Sequence, residues 1–286
     1  MKEFKDKVAV VTGAASGMGL AMAGRFAAEG MQVVMSDVEG GALQKAAASV
    51  QASAKASGGK VLAVTCDVAD ERSVAELASR ATAAFGKVHV LCNNAGVVRQ
   101  GSAWDQSLDD WKWVMGVNLW GVINGLRAFV PGMLAHGEEG HIVTTSSAAG
   151  LVASSSGSYT ATKFAVVGMS EGLATEMASL SGGRIGVSVL CPGGVKSRIF
   201  ESERNRPAAL SEKGYIAPEV EAALSRLAAP DRTDQVSPEF IAGLVVDAIR
   251  AKQFYILPMQ AHFKKSIQQR LDALSVAVKA GPQTDA

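Results

Sequence analysis

Cysteine and histidine are scarce in this chain, and each scarcity removes a class of function. Among 286 residues there are three cysteines, Cys66, Cys92 and Cys191, an odd number without paired spacing. That argues against a disulfide framework and fits a reducing, cytoplasmic setting, with each thiol a small buried hydrophobe at the end of an apolar run. The four histidines, His89, His136, His141 and His262, stand apart without HExxH or CxxC partners, so no protein-bound metal is expected. An excess of one charge is also lacking. Twenty-eight basic residues against 27 acidic ones leave a net +1, which gives no electrostatic case for nucleic acid or an anionic membrane. No apolar run reaches the roughly 18–20 residues that span a bilayer. The opening MKEFKDKVAV carries charges where an export signal would need an apolar stretch.

What is present is a repeated alternation. Residues 7–12, KVAVVT, form an apolar β-branched run that leads into TGAASGMG, Thr12 to Gly19, and then a helical pattern ending at Gly30. Strand, glycine turn and helix are the context of a phosphate-binding turn. Gly13 permits the tight turn, and Gly17 and Gly19 let backbone approach a pyrophosphate without a Cβ in the way. A second strand, 31–36, ends in Asp37, 18 residues past Gly19. An acid there can accept hydrogen bonds from an adenosine ribose, or else cap the next helix. Its charge repels a 2′-phosphate, and no Arg or Lys stands at Ala14, Ala15, Ser16 or Val38. The cofactor expected is therefore NAD rather than NADP.

The alternation continues with a helix over 39–57, a strand over 60–68, a helix over 70–85 and a strand from 87. A helical pattern over 105–135 carries Asn118 on its apolar face, and a fifth strand, GHIVTTSS, ends at Ser146 and Ser147. A helix over 157–180, a strand over 184–194, a helix over 237–251, a strand over 254–257 and a helix over 259–278 complete the series. Near-continuous apolar strands alternating with helices predict an α/β fold. The expected architecture is one doubly wound (Rossmann) parallel sheet of about seven strands, covered by helices on both faces. Asp67, Val68 and Asn93 to Gly96 then fall at carboxyl ends of strands, where such sheets bind ligands.

Within helix 157–180 lies YTATK, Tyr159 to Lys163. Residues four apart share a helix face, so phenol and ammonium meet. An ammonium beside a phenol favours the phenolate, and a pKa lowered from near 10 to about 7–8 would make the tyrosine an acid–base group near neutrality. Alone, such a pair reads as a solvated helix face, and Asn118 alone reads as a buried asparagine satisfying backbone.

Together, TGAASGMG, NNAG, Asn118, Ser147, Tyr159, Lys163 and CPGGV resemble the short-chain dehydrogenase/reductase family over residues 5–200. The resemblance implies Tyr159 as general acid/base, Lys163 lowering its pKa and binding the nicotinamide ribose, Ser147 orienting the substrate oxygen and Asn118 holding a proton-relaying water. Ser147 precedes AAG as the family's serine does, and Ser146 keeps the usual distance to the tyrosine, so both are carried. The resemblance also places Gly13, Ser16, Gly17, Met18 and Gly19 at the pyrophosphate, with Asp37 at the adenosine ribose and Asp67 and Val68 at adenine. Asn94, Ala95, Gly96, Pro192, Gly193, Val195 and Ser197 would line the rest of the cofactor cleft. Retention of all four catalytic positions argues against a non-catalytic NAD-binding regulator. The rival motif G-x-S-x-G at 168–172, centred on Ser170, has one later histidine, His262, and falls inside a helical pattern.

Residues 197–235 turn polar and are expected to form a mobile substrate lid, with Arg198, Arg204 and Arg206 on a solvated face beside Glu201 and Glu203. Val98, Trp104, Val152 and Tyr215 are expected to face a bulky hydrophobic or aryl carbinol. The lid and tail resemble the subgroup of NAD-dependent Cα-dehydrogenases acting on lignin-derived β-aryl ethers. Steroid and terpenoid alcohols are the alternative substrates. Residues 236–278 should pack on the same subunit or a neighbour, and 279–286 should be disordered. By resemblance, helices 105–135 and 157–180 pair copies of the chain into a homodimer or homotetramer.

Overall fold

A computed structural model of the chain describes residues 1–153, 156–219, 222 and 235–281. Seven strands form one sheet, every pair parallel, in the order β3-β2-β1-β4-β5-β6-β7. The strands are β1 (Val8–Thr12), β2 (Gln32–Asp37), β3 (Val61–Thr65), β4 (Val90–Asn93), β5 (Gly140–Thr145), β6 (Ile185–Leu190) and β7 (Tyr255–Ile256). Between them run α1 (Gly17–Ala28), α2 (Gly40–Ala54), α3 (Glu71–Phe85), α4 (Leu108–Met115), α5 (Gly121–Ala135), α6 (Gly157–Leu180) and α7 (Pro238–Ala251); α8 (Ala261–Ala280) follows β7. The doubly wound parallel sheet expected from the alternation is the fold observed.

Strand β1 shows why both faces must be covered. Its side chains alternate across the sheet. Ala9 and Val11 enter one core with Met22 and Phe26 of α1, Leu43 of α2 and Ile241 and Val245 of α7. Val8 and Val10 enter the other with Leu77 of α3, Phe129 and Met133 of α5, and Leu173 and Met177 of α6. All three cysteines are buried.

Three details differ from the pattern in sequence. The helix expected over 105–135 is interrupted by a π-helical turn, Gly116–Trp120, with Asn118 buried at its centre. The strand expected over 254–257 pairs with β6 at only two residues, Tyr255 and Ile256. Helix α8 buries none of its residues, and Leu271, Leu274, Val276 and Val278 stay exposed. The stripe along α8 is present, but only its first half meets the rest of the chain. The lid positions 220–221 and 223–234, and tail positions 282–286, lie outside the described residues.

Candidate active site

The sheet order turns back between β1 and β4, since β1 pairs with β2 on one side and β4 on the other. Ligands of open α/β sheets bind at such a switch point. Here the carboxyl ends of the strands open into one cavity of about 550 Å³.

At one end lies the glycine turn. Gly13 and Gly17 have φ of 65° and 55°, the left-handed region that glycine alone enters without strain. A Cβ on Gly19 would stand 2.1 Å from the Gly13 carbonyl oxygen, so only glycine lets α1 start this close to the turn. Ser16 precedes α1 without its hydroxyl capping the helix, and the first turn carries no acidic side chain. The N-terminus of α1 thus presents free N–H groups and a positive dipole end to the cavity wall made by Ser16, Gly17, Met18 and Gly19. Asp37 fixes that wall: its Oδ2 accepts from the Ala15 N–H (3.0 Å) and its Oδ1 from the Glu39 N–H (3.0 Å). Thr12 joins β1 to β4, its Oγ1 accepting from the N–H groups of Asn94 (3.0 Å) and Ala95 (3.1 Å). Asn94 Nδ2 donates in return to the Thr12 carbonyl at 2.9 Å.

The remaining cofactor positions also line this cavity: Asp67 and Val68, Asn94 to Gly96, and then Pro192, Gly193, Val195 and Ser197. These residues fit a dinucleotide. A glycine cradle that any Cβ would fill, a helix N-terminus and an acid on β2 occupy one continuous cleft.

At the other end the catalytic candidates meet. Lys163 is buried at the end of β5, donating from Nζ to the Thr145 carbonyl at 2.9 Å. Its Nζ lies 5.5 Å from the centre of the Tyr159 ring. Ser147 settles beside Tyr159 and hydrogen-bonds the phenol. Ser146 turns the other way, donating to the Lys163 carbonyl at 2.8 Å. The geometry therefore separates the two serines, one at the phenol and one bracing helix α6.

Burial pushes the Tyr159 phenol above its ordinary value, and the Ser147 hydrogen bond pulls it partway back. Burial also draws the Lys163 ammonium down to about 8. The ammonium faces the ring and the Thr145 carbonyl, and the stabilising contact comes from Ser147.

Asn118 does not line the cavity. Its Oδ1 accepts from the Val97 N–H (2.9 Å) while Nδ2 donates to the Val97 carbonyl (2.9 Å) and to Thr162 Oγ1 (3.3 Å). Both amide hydrogens are engaged, so the side chain holds the β4–α4 turn. The π turn around it is the kind of helix irregularity that gathers at functional sites.

The apolar end is made by Val97, Val98, Trp113, Val117, Phe200 and Leu210. Of the four substrate residues expected, Val98 is there. Trp104 and Tyr215 point outward, 84% and 66% exposed, and Val152 also lies off the cavity. Trp113 takes the place expected of Trp104, because α4 turns its Val114–Trp113 face inward.

Among the described residues, the lid segment 198–214 is fastened. Asp110, wholly buried, accepts from Arg206 Nη1 at 2.5 Å and from Arg99 Nε at 3.1 Å. The N–H groups of Gly214 (2.8 Å) and Ser107 (3.1 Å) reach its other oxygen. Burial alone would raise the Asp110 carboxyl, but Arg206, the Gly214 N–H and Arg99 hold it below its ordinary value. Arg206 also stacks over Trp113, 5.2 Å from the ring centre. The solvated face expected for Arg206 is thus overturned, since a partner 96 residues away draws it inside. Arg204 reaches Glu39 at 2.7 Å, and Asn205 Nδ2 donates to the same carboxylate oxygen at 2.9 Å. That latch crosses the cavity from the lid to the loop after β2.

Ser170 donates to the Val166 carbonyl at 2.7 Å from inside α6. A buried mid-helix hydroxyl engaged with its own backbone is no nucleophile elbow.

Comparisons with known proteins agree with this arrangement. The chain is 36% identical over 280 residues to the C alpha-dehydrogenase of Sphingobium sp. (strain NBRC 103272 / SYK-6), covering 96% of this chain and 88% of that one. It is 39% identical over 256 residues to the 1-deoxy-11-beta-hydroxypentalenate dehydrogenase of Streptomyces arenae, covering 88% and 82%. A short chain dehydrogenase/reductase from Burkholderia phymatum, solved in complex with NAD, superposes with a TM-score of 0.89 at 39% identity, covering 100% of this chain and 99% of that one. The apo form of LigD from Sphingobium sp. strain SYK-6 superposes with a TM-score of 0.77 at 29% identity, covering 98% and 100%. Residues 7–208 match the family described as short chain dehydrogenase. With the glycine turn, the β5 serine and the Tyr159–Lys163 helix meeting in one cleft, the chain belongs to the short-chain dehydrogenase family.

Proposed function

We propose that the chain is an NAD-dependent oxidoreductase that interconverts a bulky hydrophobic or aryl secondary alcohol and its ketone. The observation that carries this reading is the meeting of Ser147, Tyr159 and Lys163 in the cavity that holds the glycine turn and Asp37. The relative solved with NAD supports the cofactor. The Asp37 carboxylate supports NAD over NADP, because a 2′-phosphate beside it would be repelled.

The bound nicotinamide supplies the hydride chemistry. The chain supplies orientation and one proton. Ser147 donates a hydrogen bond to the substrate oxygen, and Tyr159 takes the hydroxyl proton in oxidation or gives it in reduction. The Lys163 charge, held by Thr145, favours the phenolate as it forms. Val97, Val98, Trp113 and Phe200 exclude water from the apolar end.

The relatives named C alpha-dehydrogenase and 1-deoxy-11-beta-hydroxypentalenate dehydrogenase support a bulky carbinol. The second of these favours a terpenoid alcohol as the alternative reading. Turnover of 1-phenyl-1-propanol and a guaiacylglycerol ether, against a steroid and a terpenoid alcohol, with NAD+ and NADP+ in parallel, tests both choices. Activity with NADP+ equal to that with NAD+ would overturn the role given to Asp37.

Tyr159→Phe is expected to lower turnover by roughly 10²-fold or more while keeping NADH binding. Full activity in that variant sinks the assignment. Because the phenol lies above its ordinary value of about 10, the scarce base form becomes more populated as pH rises, so oxidation should accelerate with pH toward that value while reduction stays level until pH passes it. A flat oxidation profile with chemistry rate-limiting would contradict it. We also propose pairing of two copies through α4–α5 and α6, supported by the exposed Trp120 and Leu180; light scattering tests it.

A further inference from the structure

Strand β6 runs into Cys191-Pro192-Gly193-Gly194-Val195 along the cavity wall, and this backbone leaves the sheet early. Ladder pairing with β7 ends at Leu190 and Ile256, and beyond it the peptide groups need other partners. Cys191 N–H still donates to the Ile256 carbonyl (2.8 Å) and Gly193 N–H to that of Pro258 (3.1 Å). At Gly194 the neighbour is a side chain. Gln260 Oε1 accepts from the Gly194 N–H at 3.0 Å, and Gln260 Nε2 donates to the Gly194 carbonyl at 3.1 Å. One primary amide thereby pairs with both polar groups of one residue, as an adjacent strand would. The Val236 N–H adds a second donor to the same carbonyl, at 3.0 Å.

The fit is reciprocal. A Cβ on Gly193 would stand 2.1 Å from Gln260 Oε1 and 3.1 Å from the Phe263 ring. The glycine is needed because Gln260 lies against it. Two consecutive glycines have the greatest backbone freedom to lose, so this turn depends on external contacts for its shape. Gln260 is the N-cap residue of α8, and with Gly193, Gly194 and Phe263 it faces the cavity. The base of the otherwise exposed α8 is therefore welded to the wall of the proposed cofactor site.

We propose that Gln260 is a positioning residue for the nicotinamide half of the cofactor. It fixes the Gly194 peptide, and so orients the polar backbone that Gly193 and Val195 present toward the cavity. Resting on the cofactor reading above, this adds a residue far outside the stretch that carries the family motifs.

The test compares two ligands on the intact chain. NADH contains the nicotinamide; ADP-ribose carries the same adenosine and pyrophosphate without it. Gln260→Leu should weaken NADH binding by roughly tenfold, the loss of one or two hydrogen bonds' worth of ordering, and leave ADP-ribose affinity within about twofold. Gln260→Glu, ionised at neutral pH, faces the Gly194 carbonyl without a donor and should show the same selective loss. Both affinities are read by calorimetry, so a turnover assay is not needed. Equal loss of both ligands, or loss of neither, overturns the proposal and leaves the cofactor reading intact. A wild-type chain that binds neither ligand overturns that reading, and the proposal with it.

Discussion

Residues 198–214 and helix α8 both lie beside the cavity, and both carry charged and apolar side chains along their length. Only the first is fixed throughout. Its Arg206 enters a buried group with Asp110 and Arg99, and its Arg204 latches onto Glu39. Helix α8 has the more regular apolar stripe, Phe263, Ile267, Leu271, Leu274 and Val278, yet it buries no residue beyond its base contacts. One of those contacts is Gln260 on Gly194, and halfway along the helix Arg270 lies over the Phe164 ring at 5.2 Å. Periodicity in sequence shows which face is apolar. It does not show whether the chain returns to cover that face. A polar segment with partners waiting in the core is held more firmly than an apolar one without them.

The largest test of this contrast is Asp110→Ala. It leaves two largely buried guanidinium groups with only the more exposed Glu203 as counter-charge, and removal of one partner from a buried group costs about 3–5 kcal/mol. Urea unfolding should show that loss, together with faster hydrogen exchange across 199–214. A change below about 1 kcal/mol would mean the lid is held by something else.

Glu39→Gln is expected to act differently. The Arg204 and Asn205 hydrogen bonds hold the Glu39 carboxyl below its ordinary value, but the pair is solvated, and exposed pairs contribute about 0–1 kcal/mol. Stability should barely change. Release of NADH should accelerate several-fold in stopped flow, because the latch crosses the cavity, and added salt should mimic the variant in the wild type. An unchanged release rate would show that the latch does not gate the site.

The smallest effect belongs to the outer half of α8. Leu271→Ala and Leu274→Ala should each alter stability by no more than about 0.5 kcal/mol, since both side chains are nearly half exposed. A concentration-dependent loss of thermal midpoint in either variant would instead show that a second copy covers this face.

The alternation of apolar strands and helices, the glycine turn and the Tyr159–Lys163 pair were all legible in the chain. Each depends on residues a few positions apart. A strand's two-residue repeat, a helix's four-residue step and a glycine's φ range act locally, so local pattern was enough to specify the doubly wound sheet and the helix carrying the catalytic pair. Contacts between distant segments settled the rest. Ser146 and Ser147 are adjacent, and only the way α6 packs on β5 sends one to the Lys163 carbonyl and the other to the phenol. Arg206 looked solvated beside Glu203 until the lid folded back onto Asp110. Gln260 carried no signal, because its partner Gly194 is 66 residues earlier. Trp113 could take the place expected of Trp104 only once α4 was docked with its Val114–Trp113 face inward. These points waited on the folded chain because a buried hydrogen bond or ion pair forms wherever distant partners are brought together, and local spacing says nothing of where the chain returns.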